Sequence, residues 1–296
     1  MKKNLLFLVA FAALFSVFNV SCSSDDEDNT PLFKSKKIKE ITLEYTKYGD
    51  INYYSAFLSY NAKNQLDNIT YMNEKGKSYE ITINYSNGII YRNRKELCAF
   101  KLNNRGYFES LTPIMNNEYE ENEKRYFDYD ENGYLVREKG LYNGKYYDRV
   151  RYRYSNGNLI EAACQLPFIL DDKTVEYHTA HSLSFSYSDD LNNNNTPTIL
   201  YSLGSYAMNL IRREYFKIIR WNSQSSEREE LFIQVVLNYA GFFGKASKNV
   251  CRLCSEQYYD SGNWSSIYQA FFDDNNNITK IKNLGTNDSY SWTFVY

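Results

Sequence analysis

The residues best suited to metal chemistry are His178 and His181, which are the only histidines in the chain. Acidic residues precede them at positions 171, 172 and 176, so this segment contains the usual ligand types of a zinc site. The alternating residues that follow, from Ser182 to Tyr187, are typical of a β-strand, on which residues three apart point to opposite faces. We therefore interpret both histidines as structural or exposed, and we predict no metal site.

A second possible centre of chemistry is the pair Cys251 and Cys254, whose C-x-x-C spacing occurs in redox motifs and in zinc sites. A redox pair opens a helix after a strand, and a structural zinc site needs two further ligands at similar spacing. The surrounding sequence predicts neither context, and on a strand the two sulfurs would point to opposite faces. We interpret these cysteines as packing residues. Because Cys98 and Cys164 are also present, an exported chain could form disulfides in any of three pairings.

Acidic residues are the remaining source of catalytic groups, and the chain has 36 of them. Hydrolysis of a glycosidic bond needs only two carboxyl groups at a suitable separation, but the sequence does not single out a pair. The Asp-rich and Asn-rich segments at 189–192 and 273–277 lack the spacing of a calcium-binding loop, and Gly241 to Lys245 is too short for a phosphate-binding loop. We therefore assign no catalytic residue and no cofactor.

Aromatic side chains are the most abundant groups that could bind a ligand, with 30 Tyr, 18 Phe and 3 Trp. Tyr and Trp combine an apolar ring with a polar tip, which suits carbohydrate stacking and protein recognition. In a chain this rich in aromatic residues, most of them must form the core. The candidate ligand-binding residues are Trp221, Trp264, Trp292, Tyr146, Tyr147, Tyr258 and Tyr259.

A repeated phrase positions these residues: an alternating aromatic run, a turn of Asn, Asp and Gly, and a second alternating run. The phrase occurs at 60–66, 85–89, 129–135 and 154–159, with weaker copies at 102–107 and 273–278. Asn-Gly tolerates positive φ at both central positions of a tight turn. Tyr60 and Tyr85 are 25 residues apart, as are Tyr129 and Tyr154, which accommodates two strands and two turns. Each repeat is therefore predicted to be one hairpin.

The fold class follows from these hairpins. Within residues 149–154, alternation places Arg149, Arg151 and Arg153 on one face and apolar or aromatic residues on the other. Successive hairpins pair with their neighbours and must curl or close to protect their edges. We predict an all-β fold, a long antiparallel meander of repeated hairpins curled into a barrel-like or rolled sheet. A propeller would need a repeat of about 40 residues, which these spacings do not show.

One stretch departs from the strand pattern. Residues 226–229 have the form of a helix capping box, apolar residues follow at helical spacing, and Gly241 stands where a helix would end. We predict one short helix near residues 227–240, packed over an opening or an edge of the sheet.

The start of the chain predicts export. Lys2 and Lys3 precede an apolar run from Leu5 to Val20, which has the length of a secretory signal and is too short for a typical membrane span. Cys22, directly after this run, resembles the attachment site of a bacterial lipoprotein. We predict a lipoprotein signal peptide over residues 1–21 and a lipid anchor at Cys22.

The residues after Cys22 bear on location and partners. The acidic string resembles the surface-export signal of Bacteroidota lipoproteins and consists of Asp25, Asp26, Glu27 and Asp28. We predict an acidic flexible tether over 22–36 and a single β-repeat domain over 37–296. Without residues 1–21 the chain has 32 basic and 36 acidic side chains, a net charge of −4. Because no clustered basic face is expected, we predict no nucleic-acid partner.

The repeated N-G-x-L phrases, the stretch G-F-F-G-K-A-S-K-N at 241–249 and the aromatic closing strand at 290–296 resemble domain-of-unknown-function family 4595. The resemblance covers residues 37–296. It implies a surface lipoprotein of Bacteroidota with a porin-like fold, and it implies no activity. The chain departs from the family pattern at Val250 and Cys251, where Leu-Pro would be expected.

These observations predict a lipid-anchored protein of the outer membrane, exposed at the cell surface, that binds a glycan, a peptide or an envelope protein. One alternative is a structural component of an envelope assembly, and another is a hydrolase that uses two carboxyl groups. A membrane-spanning barrel is disfavoured because its outward face needs an apolar row on every strand, whereas the predicted strand at 149–154 carries arginines opposite its aromatic face. The oligomeric state stays open.

Overall fold

The structure, a computed structural model, describes residues 37–47, 50–73, 75–76, 78–115, 118–119, 124–142, 145–169, 175–192, 235–258, 263–284 and 289–296. Most of these residues belong to strands. The strands are β1 (Glu40–Lys47), β2 (Asp50–Tyr60), β3 (Leu66–Met72), β4 (Ser78–Asn84), β5 (Ile89–Arg92), β6 (Lys95–Leu102), β7 (Phe108–Met115), β8 (Glu118–Tyr119), β9 (Arg125–Tyr129), β10 (Leu135–Tyr142), β11 (Lys145–Ser155), β12 (Asn158–Ile169), β13 (Val175–Leu191), β14 (Asn249–Tyr258), β15 (Asn263–Phe272), β16 (Ile278–Asn283) and β17 (Ser289–Val295).

The strands form a closed antiparallel barrel. Each strand pairs with the next along the chain, except that β8 pairs only with the end of β7 while β7 continues to β9. The barrel closes because β1 pairs with both β2 and β17. Sixteen strands thus make the wall. Closure pairs the backbone N–H and C=O groups that the edge strands of an open sheet would expose. The predicted all-β meander of hairpins curled into a barrel is confirmed.

Alternation along the strands directs apolar side chains into the interior and most charged side chains to the exterior. In β4, for example, Tyr79, Ile81 and Ile83 are buried, whereas Ser78 and Glu80 are exposed. Buried residues of all sixteen wall strands contribute to one hydrophobic cluster inside the barrel. Burial of this apolar surface is the main driving force for closing the sheet.

One end of the barrel, which we call the turn end, is built from repeated turns. Four of them have the same geometry, in which the Oδ1 atom of the first residue accepts the N–H of the fifth, and the N–H of the fourth donates to the carbonyl of the first. These turns begin at Asn61, Asn103, Asp130 and Asp273. The fourth residue has positive φ in each case: Asn64 (66°), Gly106 (75°), Gly133 (87°) and Asn276 (59°). The weaker copies of the repeat at 102–107 and 273–278 therefore form the same turn as the stronger ones.

The two Asn-Gly turns differ from each other. Asn156 and Gly157 both have positive φ, at 50° and 80°, as expected for a two-residue hairpin turn. At Asn87-Gly88 only the glycine has positive φ, because the turn extends over residues 85–88. A Cβ atom on Gly88 would lie 2.7 Å from the carbonyl oxygen of Phe100, so this position also needs the absence of a side chain.

Tyrosines tie neighbouring strands together at the turn end, and three of them, Tyr60, Tyr85 and Tyr129, belong to the repeated phrase. Among the described residues, five tyrosines donate a hydrogen bond of 2.6–2.9 Å from the hydroxyl to a carbonyl on or beside the preceding wall strand. The pairs are Tyr60–Ile38, Tyr85–Leu66, Tyr129–Phe108, Tyr187–Leu159 and Tyr296–Ile278. Each pair joins two strands whose chain connection lies at the opposite end, which we call the far end. We call these residues the turn-end tyrosines.

A short helix and the segment after it close the turn end. Residues 235–239 are helical and buried, and Gly241 has a φ of 78°. The N–H of Phe242 donates to Leu237 and the N–H of Gly241 to Asn238, the bond pattern of a Schellman cap. The predicted helix near 227–240 agrees with this conformation; residues 227–234 lie outside the described residues. In the part of the chain that the structure describes, no helix is long and apolar enough to span a membrane.

The segment after the helix is bonded to the turns themselves. The carbonyl of Phe242 accepts the N–H of Phe108 at 2.8 Å, and the two rings stack with centroids 4.6 Å apart. Further along, the N–H groups of Lys245 and Lys248 donate to the carbonyls of Gly133 and Gly157, both at 2.9 Å. We call residues 235–249 the capping segment. It includes the G-F-F-G-K-A-S-K-N stretch, whose role is therefore to seal the barrel.

Two bulges overturn predictions made from strict alternation. In β11, Val150 pairs with Glu138 and Asp148 with Lys139, so Arg149 is an extra residue in the ladder. The bulge turns Arg149 inward, where it is buried, while Arg151 and Arg153 stay exposed. The expectation that all three arginines share the outer face was wrong, because an inserted residue resets the period of two.

The cysteines show the same effect. In β14, Leu253 pairs with Ser186 and Cys251 with Tyr187, which leaves Arg252 as the extra residue. Cys251 and Cys254 consequently both belong to the core, and the prediction that they face opposite sides was wrong. Within the described part of the chain, Cys98, Cys164 and this pair are buried and form no disulfide, and burial raises the pKa of Cys98 to about 12. Their role as packing residues agrees with the sequence interpretation.

Candidate functional site

The barrel interior holds a buried ionic cluster. Glu138 on β10 has no exposed surface, and its Oε1 atom lies 3.5 Å from Nε of Arg125 on β9 and 3.4 Å from Nε of Arg149 on β11. Burial raises the pKa of Glu138 above its ordinary value, and the two arginines partly oppose that shift. The sequence carried no signal for this cluster, because it depends on the pairing of three strands and on the bulge at Arg149.

The burial of this cluster and of its ionisable neighbours bears on what chemistry it can perform. Burial raises the pKa of Tyr152 and of Cys164, and the charge of Glu138 acts in the same direction on both. A general acid or base must reach its substrate, whereas Glu138 is enclosed by the wall. The cluster is therefore suited to fixing the arrangement of β9, β10 and β11 and is poorly placed for acid–base chemistry.

The outer face of the same strands carries an exposed aromatic pair. Tyr126 on β9 and Tyr146 on β11 make an edge-to-face contact with centroids 5.1 Å apart and an interplanar angle of 89°. Lys124 Nζ lies 5.4 Å from the centroid of the Tyr126 ring. Partial burial and the hydrogen bond between the two tyrosine side chains raise the pKa of Tyr126. We call Lys124, Tyr126 and Tyr146 the outer tyrosine surface.

Ion pairs lie beside this surface. Asp128 binds Arg137 at 3.0 Å and Lys139 at 2.8 Å, and Lys139 is the register partner of both Tyr126 and Asp148. Tyr146 is the most exposed of the large hydrophobic side chains that the structure describes, with 60% of its surface accessible. An accessible ring beside charged hydrogen-bonding groups can stack on the apolar face of a sugar while the charged groups bind its hydroxyls.

The candidate aromatic residues separate into different environments. Trp292 is only 2% exposed and belongs to the core, so it is removed from the ligand-binding candidates. Tyr147 is half-buried and covers Gly140, where an added Cβ would lie 2.8 Å from its ring. Tyr146 alone among the seven is known to be exposed. Tyr258 lies in β14 and Trp264 in β15, and their side chains fall outside the described part of the structure, as do Trp221 and Tyr259 entirely.

The histidines and the acidic turns adopt ordinary structural positions. His178 and His181 both lie in β13, the first exposed and the second buried, so they have different surroundings as predicted. Asp273 uses Oδ1 to accept the N–H groups of Asn275 and Asn277, which is a hairpin turn. Within the described ranges, no group of three or more His, Cys, Asp or Glu residues could hold a metal ion.

Comparison with solved structures identifies the fold. A porin-like protein from Bacteroides uniformis ATCC 8492 matches with a TM-score of 0.58 at 14% sequence identity, covering 90% of this chain and 99% of that chain. A porin-like protein from Bacteroides vulgatus ATCC 8482 matches with a TM-score of 0.44 at 10% identity, over 88% of this chain and 98% of that chain, a similarity too low to carry an argument. No protein-family model and no curated protein matches the sequence.

The fold and the first of these matches define the class of this protein as a porin-like, closed antiparallel β-barrel. The porin-like fold implied by the resemblance to family 4595 is thereby confirmed. Membership of that family, the lipid anchor at Cys22 and the domain boundaries remain predictions.

Proposed function

We propose that this protein is an outer-membrane lipoprotein, anchored through Cys22, whose barrel stands in water at the cell surface and binds a glycan on its outer wall. The single observation that carries the proposal is the distribution of polarity across the wall. A membrane-spanning barrel has an apolar outer band and a polar lumen. Here the described inner face forms a hydrophobic core, whereas the outer face includes Glu80, Arg151 and Arg153.

The filled interior also argues for binding at the surface instead of conduction through the lumen. The capping segment occupies the turn end, and the rings of Phe108, Phe242 and Phe243 pack there with centroids 4.6 and 5.2 Å apart. A conducting barrel of this size keeps its lumen open to water. The outer tyrosine surface combines an exposed pair partner, Tyr146, with charged neighbours, and it supports a glycan as the ligand.

Glycan binding is tested with the purified protein on a glycan array, followed by titration calorimetry with each sugar that binds. Tyr146→Ala is expected to weaken binding about five- to thirtyfold, because stacking on an exposed ring contributes on the order of 1–2 kcal/mol. Tyr53→Ala is the matched control, since Tyr53 is also half exposed but lies on β2, on the other side of the barrel. Equal loss in both variants, or no sugar bound by the wild type, would contradict the proposal.

Location is tested separately in cells. Cys22→Ala is expected to release the protein from the membrane fraction, since no acyl chain can then be attached. Replacing Asp25 to Asp28 by alanine is expected to keep the protein in the membrane fraction but to protect it from protease added to intact cells. Recovery of the Cys22→Ala variant in the membrane fraction at the wild-type level would refute the lipid anchor.

A further inference from the structure

The wall opposite the outer tyrosine surface carries exposed apolar side chains close to the turn end. They are Phe57 on β2, Val295 on β17 and Phe271 and Phe272 on β15, with 37–46% of their surface accessible. Glu40 on β1 lies directly between Phe57 on β2 and Val295 on β17, because it pairs with both of them. Phe271 on β15 pairs with Lys280 on β16. We call these four residues the apolar patch. It crosses the five adjacent strands from β15 to β2, or about 19 Å at the usual strand spacing.

Basic side chains accompany this patch. Lys39 and Lys282 are exposed and Lys280 is partly exposed, on or beside β1 and β16. Glu40 and Glu44 on β1 and Asp273 and Asp274 in the turn after β15 offset these charges, so the lysines lie beside the rings without giving the wall a net positive charge. Apolar side chains flanked by lysines match the boundary of a lipid layer, where rings enter the acyl region and ammonium groups meet phosphates.

The position at which the described chain begins indicates what the apolar patch contacts. The described chain begins at Lys37, next to β1 and at the turn end, where the patch lies. Cys22 precedes it by 15 positions, which can span at most about 50 Å when fully extended. An acyl anchor at Cys22 therefore holds the patch nearer to the membrane than it holds the far end of the barrel.

We propose that the apolar patch docks on the lipid surface in which Cys22 is anchored. This inference rests on the proposed membrane location but not on glycan binding. β10 stands eight places from β1 in the closed wall of sixteen strands, so docking through β15 to β2 turns the outer tyrosine surface away from the membrane. The barrel then has one wall for the membrane and the opposite wall for the ligand.

The test uses residues 22–296 with Cys22→Ser, so that no acyl chain contributes, and vesicles of phosphatidylethanolamine and phosphatidylglycerol. Phe57→Ser combined with Phe271→Ser is expected to lower the partition coefficient in co-sedimentation at least tenfold. The matched control, Leu191→Ser combined with Met72→Ser, removes two exposed apolar side chains, 53% and 38% accessible, that lie outside the patch strands. It is expected to stay within twofold of the wild type.

A second pair of variants keeps the apolar residues and changes the charge. Lys39→Glu combined with Lys280→Glu is expected to weaken binding to the anionic vesicles, and less so to vesicles of phosphatidylcholine alone.

Equal loss for patch and control variants, or unchanged binding of the patch variant, would overturn the proposal. So would a concentration-dependent dimer in sedimentation without vesicles that the patch variant abolishes, because a second copy would then cover the patch. Because the protein in this assay carries no acyl group, a negative result is independent of whether Cys22 is modified in cells.

Discussion

The two ends of the barrel are built in different ways. At the turn end, four turns share one hydrogen-bond pattern and the turn-end tyrosines repeat one contact, so similar short sequences give the same local structure at several places. Towards the far end, the interior contains the ionic cluster of Arg125, Glu138 and Arg149, which occurs once and is assembled from three strands. The comparison teaches that local repetition and long-range assembly coexist in one wall.

The largest effect is expected from the ionic cluster. Glu138→Ala removes the buried carboxyl group that lies 3.5 and 3.4 Å from Arg125 and Arg149, and it leaves a cavity between the strands. Truncating a buried side chain of this size is expected to cost about 2–5 kcal/mol of the free energy of unfolding. Urea denaturation followed by tryptophan fluorescence measures this value.

The control for that experiment removes all three charges at once. Arg125→Met, Glu138→Leu and Arg149→Met together are expected to cost less than Glu138→Ala alone, because apolar residues of similar volume often replace a buried ionic cluster without loss. A triple variant less stable than Glu138→Ala would show that the cluster itself stabilises the wall, and it would weaken the contrast between the ends.

A smaller loss of stability is expected when alanine replaces either of two glycines, one at each end of the barrel. Gly244 in the capping segment has a φ of 84°, and an added Cβ would lie 2.6 Å from the carbonyl oxygen of Gly133. Gly76 at the far end has a φ of 69° with nothing within 4 Å of an added Cβ. Gly76→Ala is expected to cost about 1–2 kcal/mol through the left-handed backbone alone. Gly244→Ala is expected to cost at least about 1 kcal/mol more, and equal melting-temperature shifts for the two variants would argue against tight docking of the capping segment.

A turn-end tyrosine is expected to contribute about 1 kcal/mol through its hydroxyl. Tyr85→Phe removes the 2.8 Å hydrogen bond to the carbonyl of Leu66 and keeps the ring. Tyr53→Phe, at an exposed outer position, should change the free energy of unfolding by less than about 0.5 kcal/mol. If both substitutions have the same effect in urea denaturation, the hydroxyl is not what holds the strands at this end.

The smallest difference is expected in the pH dependence of stability. Because burial raises the pKa of Glu138 above its ordinary value of 4.5, the folded chain takes up this proton before the unfolded chain does. The wild type should therefore gain stability relative to the triple apolar variant as the pH falls through the pKa of folded Glu138, and the gain should level off below 4.5. Denaturation curves measured at several pH values check the sign. A loss of relative stability on acidification would mean that the arginines outweigh burial.

Much of the turn end could be predicted from the sequence. The conformation of residues 129–135 is determined locally, since Asp130 binds the backbone of Tyr134 and Gly133 supplies the positive φ. The end of the helix at Gly241 could also be predicted, because a helix stop depends on adjacent residues. The inward orientation of the Arg149 side chain could not be predicted, since nothing in the local sequence distinguishes a bulged residue from its neighbours.

The same distinction between local and long-range information holds for the residues of the candidate site. Tyr146 was identified from its type and polar neighbours and is exposed, whereas Trp292 had the same kind of local signal and lies in the core. Tyr126 was missed, although it completes the edge-to-face pair with Tyr146. Exposure and pairing depend on which strands are neighbours and on the register between them, and one sequence window contains neither.

The sequence by itself determined that this chain forms hairpins, where most of their turns lie, and that the hairpins must curl to protect their edges. Its first residues also predict export and a lipid anchor at Cys22. Tertiary structure alone decided the closure of β1 on β17, the burial of Glu138 between two arginines and the placing of aromatic and apolar surfaces on opposite walls. The reason is physical. Turn formation is a matter of bonds within about five residues, whereas closure and burial are decided by the apolar area that distant strands remove from water together.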